Sequence, residues 1–143
     1  MDAMSLARAC ADAMWAEDAT SRATGIERVS AAPGEAVLAL TVTEAMANWH
    51  GTCHGGYIFL LADTAFGYAC HSRNQRMVGQ HCTISYLTPA QKGDRLTARA
   101  TERQRAGRSG IYDVSVTRQD GTPIAEFRGT ARAIEGFLLP EKS

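Results

Sequence analysis

The sequence predicts an α+β fold in which a curled antiparallel sheet wraps around one long central helix. Two observations carry that expectation. A single stretch starting after Gly56 is long and apolar enough to be a buried helix, and nearly everything after it alternates apolar and polar residues across hairpin-sized connections. Each alternating strand has one apolar face, so one side of the sheet needs a cover. The long helix is the only segment able to supply it.

The elements follow in order. Residues 5 to 16, SLARACADAMWA, place Leu6, Cys10, Ala13 and Met14 at helical spacing and open the chain with an amphipathic helix. Pro33-Gly34 marks a turn between extended runs from Ile26 to Ala32 and from Glu35 to Glu44. In the second run Ala36, Leu38, Leu40 and Val42 share one face, and Thr41 and Thr43 the other. Beyond the central helix, Val78, Gln80, Cys82, Ile84 and Tyr86 alternate until Thr88-Pro89 ends the strand. Leu96, Ala98 and Ala100 then oppose Thr97, Arg99, Thr101 and Arg103. RAGRSG turns the chain into Tyr112, Val114 and Val116, and QDGT signals a hairpin because Asp-Gly suits a two-residue turn with positive φ. Ala125, Phe127, Gly129, Ala131 and Ala133 line one face of the last strand.

Composition narrows the function. A chain of 143 residues fits one domain, 1–143, with a core of its own. Hydrophobic residues at 45% and charged residues at 21% argue against disorder, and fifteen basic residues balance fifteen acidic ones. Neither nucleic acid nor an anionic membrane is therefore an expected partner. The start carries Asp2 and no basic, apolar leader, and no run approaches the ~20 apolar residues of a membrane span, so a cytoplasmic location is expected.

Cysteines stand at 10, 53, 70 and 82, three of them next to a histidine (Cys53-His54, Cys70-His71, His81-Cys82). Adjacent residues point to opposite faces of a strand and diverge by ~100° on a helix, so such pairs chelate poorly. Reduced, buried thiols are expected instead of a metal, haem or disulfide site. Cys53 could be read as a nucleophile, but no paired base is identifiable.

The chemistry concentrates in NWHGTCHGGYIFLLADTAFG, residues 48 to 67. Asn48 to Gly56 form a loop running into the helix, whose first amides have no internal partners and sit at the positive end of its dipole. Gly55 and Gly56 either permit tight packing of the helix start or let a ligand oxygen reach the backbone N–H groups, as suits a developing oxyanion. Asp63 interrupts the apolar run, and a bare carboxylate there is costly unless answered. It is either a seam residue held by hydroxyls such as those of Thr64 or Tyr68, or a functional acid. Eight residues separate it from Gly55, ~12 Å along the axis. Acting on one carbonyl would thus take two antiparallel helices from a two-fold dimer, each site using Gly55 of one chain and Asp63 of the other. A single-chain site would need another acid, and Glu44 is the nearest.

His54-Gly55-Gly56 followed by Leu61-Ala62-Asp63-Thr64-Ala65, with Asn48 seven residues before Gly55, resembles the signature of hotdog-fold acyl-CoA thioesterases of the phenylacetate-pathway (PaaI) branch. The likeness runs through ISYLTPAQKGD and GRSGIYDVSV, over roughly residues 25 to 135; Thr88 departs from it, where many relatives carry Arg. The resemblance implies that the Gly55 amide polarises the thioester carbonyl and that the partner chain's Asp63 serves as nucleophile or as general base for water. It further implies that Asn48 orients water or the acid, His54 supports the loop, and Thr64 hydrogen-bonds near the carboxylate. Phenylacetyl-CoA or a hydroxylated form is the implied substrate, coenzyme A being part of it, with no cofactor or metal required. A homodimer is the implied catalytic unit, and a homotetramer of two dimers the implied assembly. Gly56 and the arginines in and just before the RAGRSG turn, Arg103, Arg105 and Arg108, are candidates for binding substrate and CoA phosphate, with Arg105 and Arg108 preferred. Two other classes suit the fold: an acyl-thioester dehydratase or hydratase, which typically pairs His with a carboxylate, and a non-catalytic acyl-CoA binding module.

Overall fold

The computed structural model describes residues 1–140. Helix α1 (Ala3–Glu17) is followed by a short α2 (Ala19–Thr24), strands β1 (Glu27–Ala32) and β2 (Glu35–Thr41), a 3-10 turn at Glu44–Met46, and the central helix α3 (Gly55–Cys70). Strands β3 (Met77–Tyr86), β4 (Arg95–Ala106), β5 (Ser109–Thr117) and β6 (Pro123–Ala133) complete the chain. All six strands form one antiparallel sheet in the order β1-β2-β4-β5-β6-β3. Helix α3 lies on its apolar face, as the hotdog arrangement requires. Among the described residues, no helix is long and apolar enough to cross a membrane.

Alternation sets the core. Leu96, Ala98 and Ala100 of β4, Tyr112, Val114 and Val116 of β5, and Ala125, Phe127 and Ala131 of β6 are buried beneath α3. Strand β2 departs from the expected two-faced pattern, because Val37 and Ala39 are buried as well as Ala36, Leu38 and Leu40. Ala39 lies between Glu27 of β1 and Thr97 of β4, and an ion pair from Arg95 to Glu27 crosses β2 on its outer side. The stems of long charged residues can cover apolar surface in this way.

Strand β3 corrects the sequence reading. A bulge between Gly79 and His81 inserts Gln80, so the face in register with buried β6 residues runs Met77, Gly79, Cys82, Ile84, Tyr86. Val78 and Gln80, expected on that face, are turned away, and Val78 is exposed. One extra residue inverts the parity of everything before it. Helix α2 was not expected. Asp18 accepts from Ser21 N and Oγ at its start (3.0 and 2.6 Å), and Gly25 ends it in the left-handed conformation. Tyr68 Oη donates to the same Asp18 (3.0 Å), tying α3 to the α1–α2 corner.

Phe66 makes an unusually close contact between helix and sheet. A Cβ built on Gly129 would stand 2.8 Å from the Phe66 ring, and one on Gly79 3.3 Å. The ring is therefore seated on bare backbone of β6 and β3, with Tyr112 and Phe127 packed at centroid distances of 5.6 and 5.8 Å. The substitution Gly129→Ala should lower stability by about 1–3 kcal/mol, the scale of overpacking a filled core. Chemical denaturation at fixed protein concentration measures this; an unchanged midpoint would show that the ring can move aside.

Candidate active site

The loop before α3 is built by short-range hydrogen bonds. Asn48 Oδ1 accepts from His50 N (2.9 Å), Thr52 N (3.2 Å) and Thr52 Oγ1 (3.3 Å), so this side chain folds the loop back on itself. Its amide NH2 is left over for another acceptor. His54 is the N-cap of α3, its Nδ1 accepting from Gly56 N at 2.8 Å while its carbonyl takes the Tyr57 N–H at 3.0 Å. Two of the first amides are thereby used, and Gly56 is not free to bind a ligand oxygen through its N–H. Among the described residues nothing accepts from the Gly55 N–H. Tyr86 Oη donates to the Gly55 carbonyl (3.1 Å) and holds the following peptide, Gly55–Gly56, from the other side. Sequence reading missed Tyr86, whose partner lies 31 residues away.

Asp63 is half-buried and lines a groove of about 430 Å³ between α3 and β3, with Phe59, Phe66, Cys70 and Cys82 among its walls. The groove exists because α3 packs mainly over β2, β4 and β5 and leaves the β3 side less covered. Burial alone raises the Asp63 pKa above its ordinary 3.8. The hydroxyls weighed as its holders are engaged elsewhere: Thr64 Oγ1 donates to Leu60 O within the helix (2.6 Å), and Tyr68 to Asp18. Among the described residues the carboxylate has no hydrogen-bond or ionic partner. Glu44, the single-chain alternative, is exposed and pairs with Lys92 at 3.5 Å.

The other candidates sort by burial. Cys10, Cys53 and Cys70 are buried and Cys82 half-buried, all as free thiols. Burial pushes the Cys53 thiol up, which opposes a nucleophilic role, and pushes Cys70 up to about 12. Cys82 is raised first by burial and then by the Asp63 charge. His71 closes the helix, with Nδ1 at 2.7 Å from Gly67 O and Nε2 taking the Met77 N–H at 3.1 Å. Arg105 is half-buried near Cys70 and donates to Gln75, so it is anchored rather than free. Arg108 is exposed at the β4–β5 turn, where its carbonyl accepts from Ala133 N (2.7 Å). Exposed Arg132, which pairs with Ser109, joins it there. No local spacing points to Arg132, because only sheet register brings it beside that turn.

A carboxylate without a partner in a groove, and a helix-start amide without an acceptor, are what ester or thioester hydrolysis needs. The sequence profile of the Thioesterase superfamily matches residues 50–125, from this loop to β6. The chain belongs to the thioesterase superfamily. Among curated relatives, the acyl-coenzyme A thioesterase PaaI of Escherichia coli K12 is 44% identical over 131 residues, covering 92% of this chain and 94% of that one. The solved structure of the E. coli PaaI protein from the phenylacetic acid degradation operon superposes with a TM-score of 0.93 at 42% identity, covering 95% and 99% of the two chains. A Streptococcus mutans UA159 protein solved with acetyl-CoA bound has a TM-score of 0.75 at 27% identity, covering 78% and 90%. The expectation of a hotdog thioesterase of the PaaI type is thereby met in family and fold, and the chain is an enzyme of that superfamily.

One α3 residue remains unexplained by packing. Gly67 lies inside the helix, where glycine costs about 1 kcal/mol relative to alanine, yet an added Cβ would meet nothing within 4 Å.

The raised Asp63 pKa has a consequence for stability. The folded carboxyl holds its proton to higher pH than the unfolded one, so its own contribution to stability is full below pH 3.8 and is lost as pH rises through the folded pKa. Asp63→Asn should therefore melt above the parent at pH 7, with the gap closing as pH approaches 3.8. Thermal melts of both proteins across pH 3–8 would check this, and a gap independent of pH would contradict it.

Proposed function

We propose that this chain hydrolyses acyl-CoA thioesters to free acid and CoA at a site shared by two copies, with phenylacetyl-CoA or its ring-hydroxylated form as substrate. One observation carries the proposal: the unpartnered Asp63 and the unpartnered Gly55 amide sit on one helix, ~12 Å apart along its axis. A single α3 cannot place both on one carbonyl. Two antiparallel copies can, twice over. The sheet edge supports pairing of this kind, because β3 is a ten-residue outer strand in the β1-β2-β4-β5-β6-β3 order. A long bare edge is a template for another strand. Exposed Val78, Tyr86 and Leu87 lie along it, and the Asp63 groove opens beside it. The names of the E. coli relative and of the acetyl-CoA complex support the acyl-CoA class.

In this mechanism the Gly55 N–H of one copy donates to the carbonyl oxygen as it gains charge. Asp63 of the other copy attacks the carbonyl carbon or takes a proton from the attacking water, and its raised pKa makes it a stronger base than an exposed aspartate. The free NH2 of Asn48 orients water or the acid, and His54 keeps the helix start in shape. Thr64, bonded into its own helix, acts by packing beside Asp63. Arg108 with Arg132 meets the CoA phosphates, and Arg105 braces the end of the groove. No step calls for a metal or redox group. Two dimers associate into a tetramer.

Release of free thiol from a panel of acyl-CoA esters tests the activity. The parent should turn over, and Asp63→Asn should lose at least ~100-fold in kcat, the scale of a lost general base; turnover that survives the change would sink the mechanism. Sharing has its own test. Gly55 is the first residue of α3, and His54 has ψ 132°, compatible with a following proline, so Gly55→Pro deletes the amide, its added Cβ standing 3.1 Å from the Tyr86 ring. Mixed dimers of Asp63→Asn and Gly55→Pro chains should recover part of the parent activity. Well-folded mixtures that stay inactive would count against a shared site.

A further inference from the structure

We infer that Gly67 selects the acyl group: the space left by its missing side chain receives the bulky end of an aryl-acetyl or branched acyl chain. The inference rests on the thioesterase reading of Asp63 and concerns the substrate of that same site. Gly67 follows Asp63 by four residues, so it lies on the same helix face about 6 Å further along the axis. An acyl carbonyl held at Asp63 places a ring one methylene away at that position.

Nothing else in the fold accounts for the glycine. Its φ is not positive, in contrast with Gly25 or Gly93, so no backbone conformation requires it. A Cβ there meets open space, whereas Gly129 and Gly79 are filled by Phe66. Gly67 also borders two hollows. One is the Asp63 groove of about 430 Å³; the other, about 420 Å³, lies across α3 and includes Met14, Thr64 and Tyr68. Phe66 and Cys70 of α3 and Gly79 and Cys82 of β3 give the groove small or apolar walls that suit a ring, with Gln80 and His81 forming its polar side on β3. The helix thus carries a local cost that packing does not repay, next to the reacting centre.

The test uses the full-length parent, Gly67→Ala and Gly67→Leu. Thiol release is followed with acetyl-, butyryl- and phenylacetyl-CoA, and assembly by analytical ultracentrifugation. The expected result is a fall in the ratio of kcat/KM for phenylacetyl-CoA to that for the smallest ester turned over. That fall should be about 10-fold for alanine, the scale of one misplaced methyl in a pocket, and larger for leucine. Assembly should stay as in the parent. Since alanine favours the helix, that variant stays informative if leucine prevents folding. An unchanged ratio overturns the inference. Equal losses on all esters with dissociation of the assembly also overturn it, the glycine then serving contact between copies. Failure is separable from failure of the thioesterase reading: a parent inactive on every ester removes both, whereas an active parent with an unmoved ratio removes only this one.

Discussion

Phe66 presses its ring onto the backbone of β6 at Gly129, closer than a side chain there would permit, and tightly onto that of β3 at Gly79. That contact fixes the height of α3 above the sheet. With the ring seated there, the helix body settles over β2, β4 and β5, where Leu61, Ala62, Ala65 and Ala69 bury completely against the strands. Asp63, three residues before Phe66, is then left at the open β3 side instead of being forced into the core. A carboxylate fully enclosed by apolar residues would be protonated or ruinous to stability. Half enclosure raises its pKa while leaving it within reach of a substrate.

The start of the same helix is governed by a different economy of hydrogen bonds. His54 occupies the Gly56 amide, the His54 carbonyl occupies Tyr57, and Tyr86 holds the Gly55 carbonyl. Each bond removes one choice from the loop. What remains unpaired is the Gly55 N–H. Its peptide is held through the His54 carbonyl while the next peptide is gripped from both sides by Tyr86 and the His54 ring, which is how a weak donor becomes an oriented one.

Much of this was legible in the sequence because periodicity reports which face of an element is buried. The six strands, the first helix and the central helix follow from alternation and helical spacing, and the unusual Asp63 stood out because its neighbours are apolar. The misreadings have physical causes. Gln80 reverses the parity of β3, and no residue type announces a bulge. Helix α2 is six residues long with no large apolar side chain, so only its Asp18 and Gly25 ends signalled it. Tyr86 on the Gly55 carbonyl, Arg132 beside Ser109, and the anchoring of Arg105 by Gln75 all depend on register between distant strands, which local spacing does not encode. The open space at Gly67 is likewise a property of what surrounds the helix, not of the glycine itself.

The two thiols along the groove follow from the same placement. A thioester hydrolase releases a free thiol, and here Cys70 and Cys82 stand in the walls beside the acid. Burial, reinforced by the negative charge of Asp63, keeps both protonated near neutral pH. Disulfide exchange requires a thiolate, so neither is reactive toward an oxidised form of the product. The Asp63 carboxylate thus helps keep the sulfur atoms of its own groove chemically silent toward thiol–disulfide exchange.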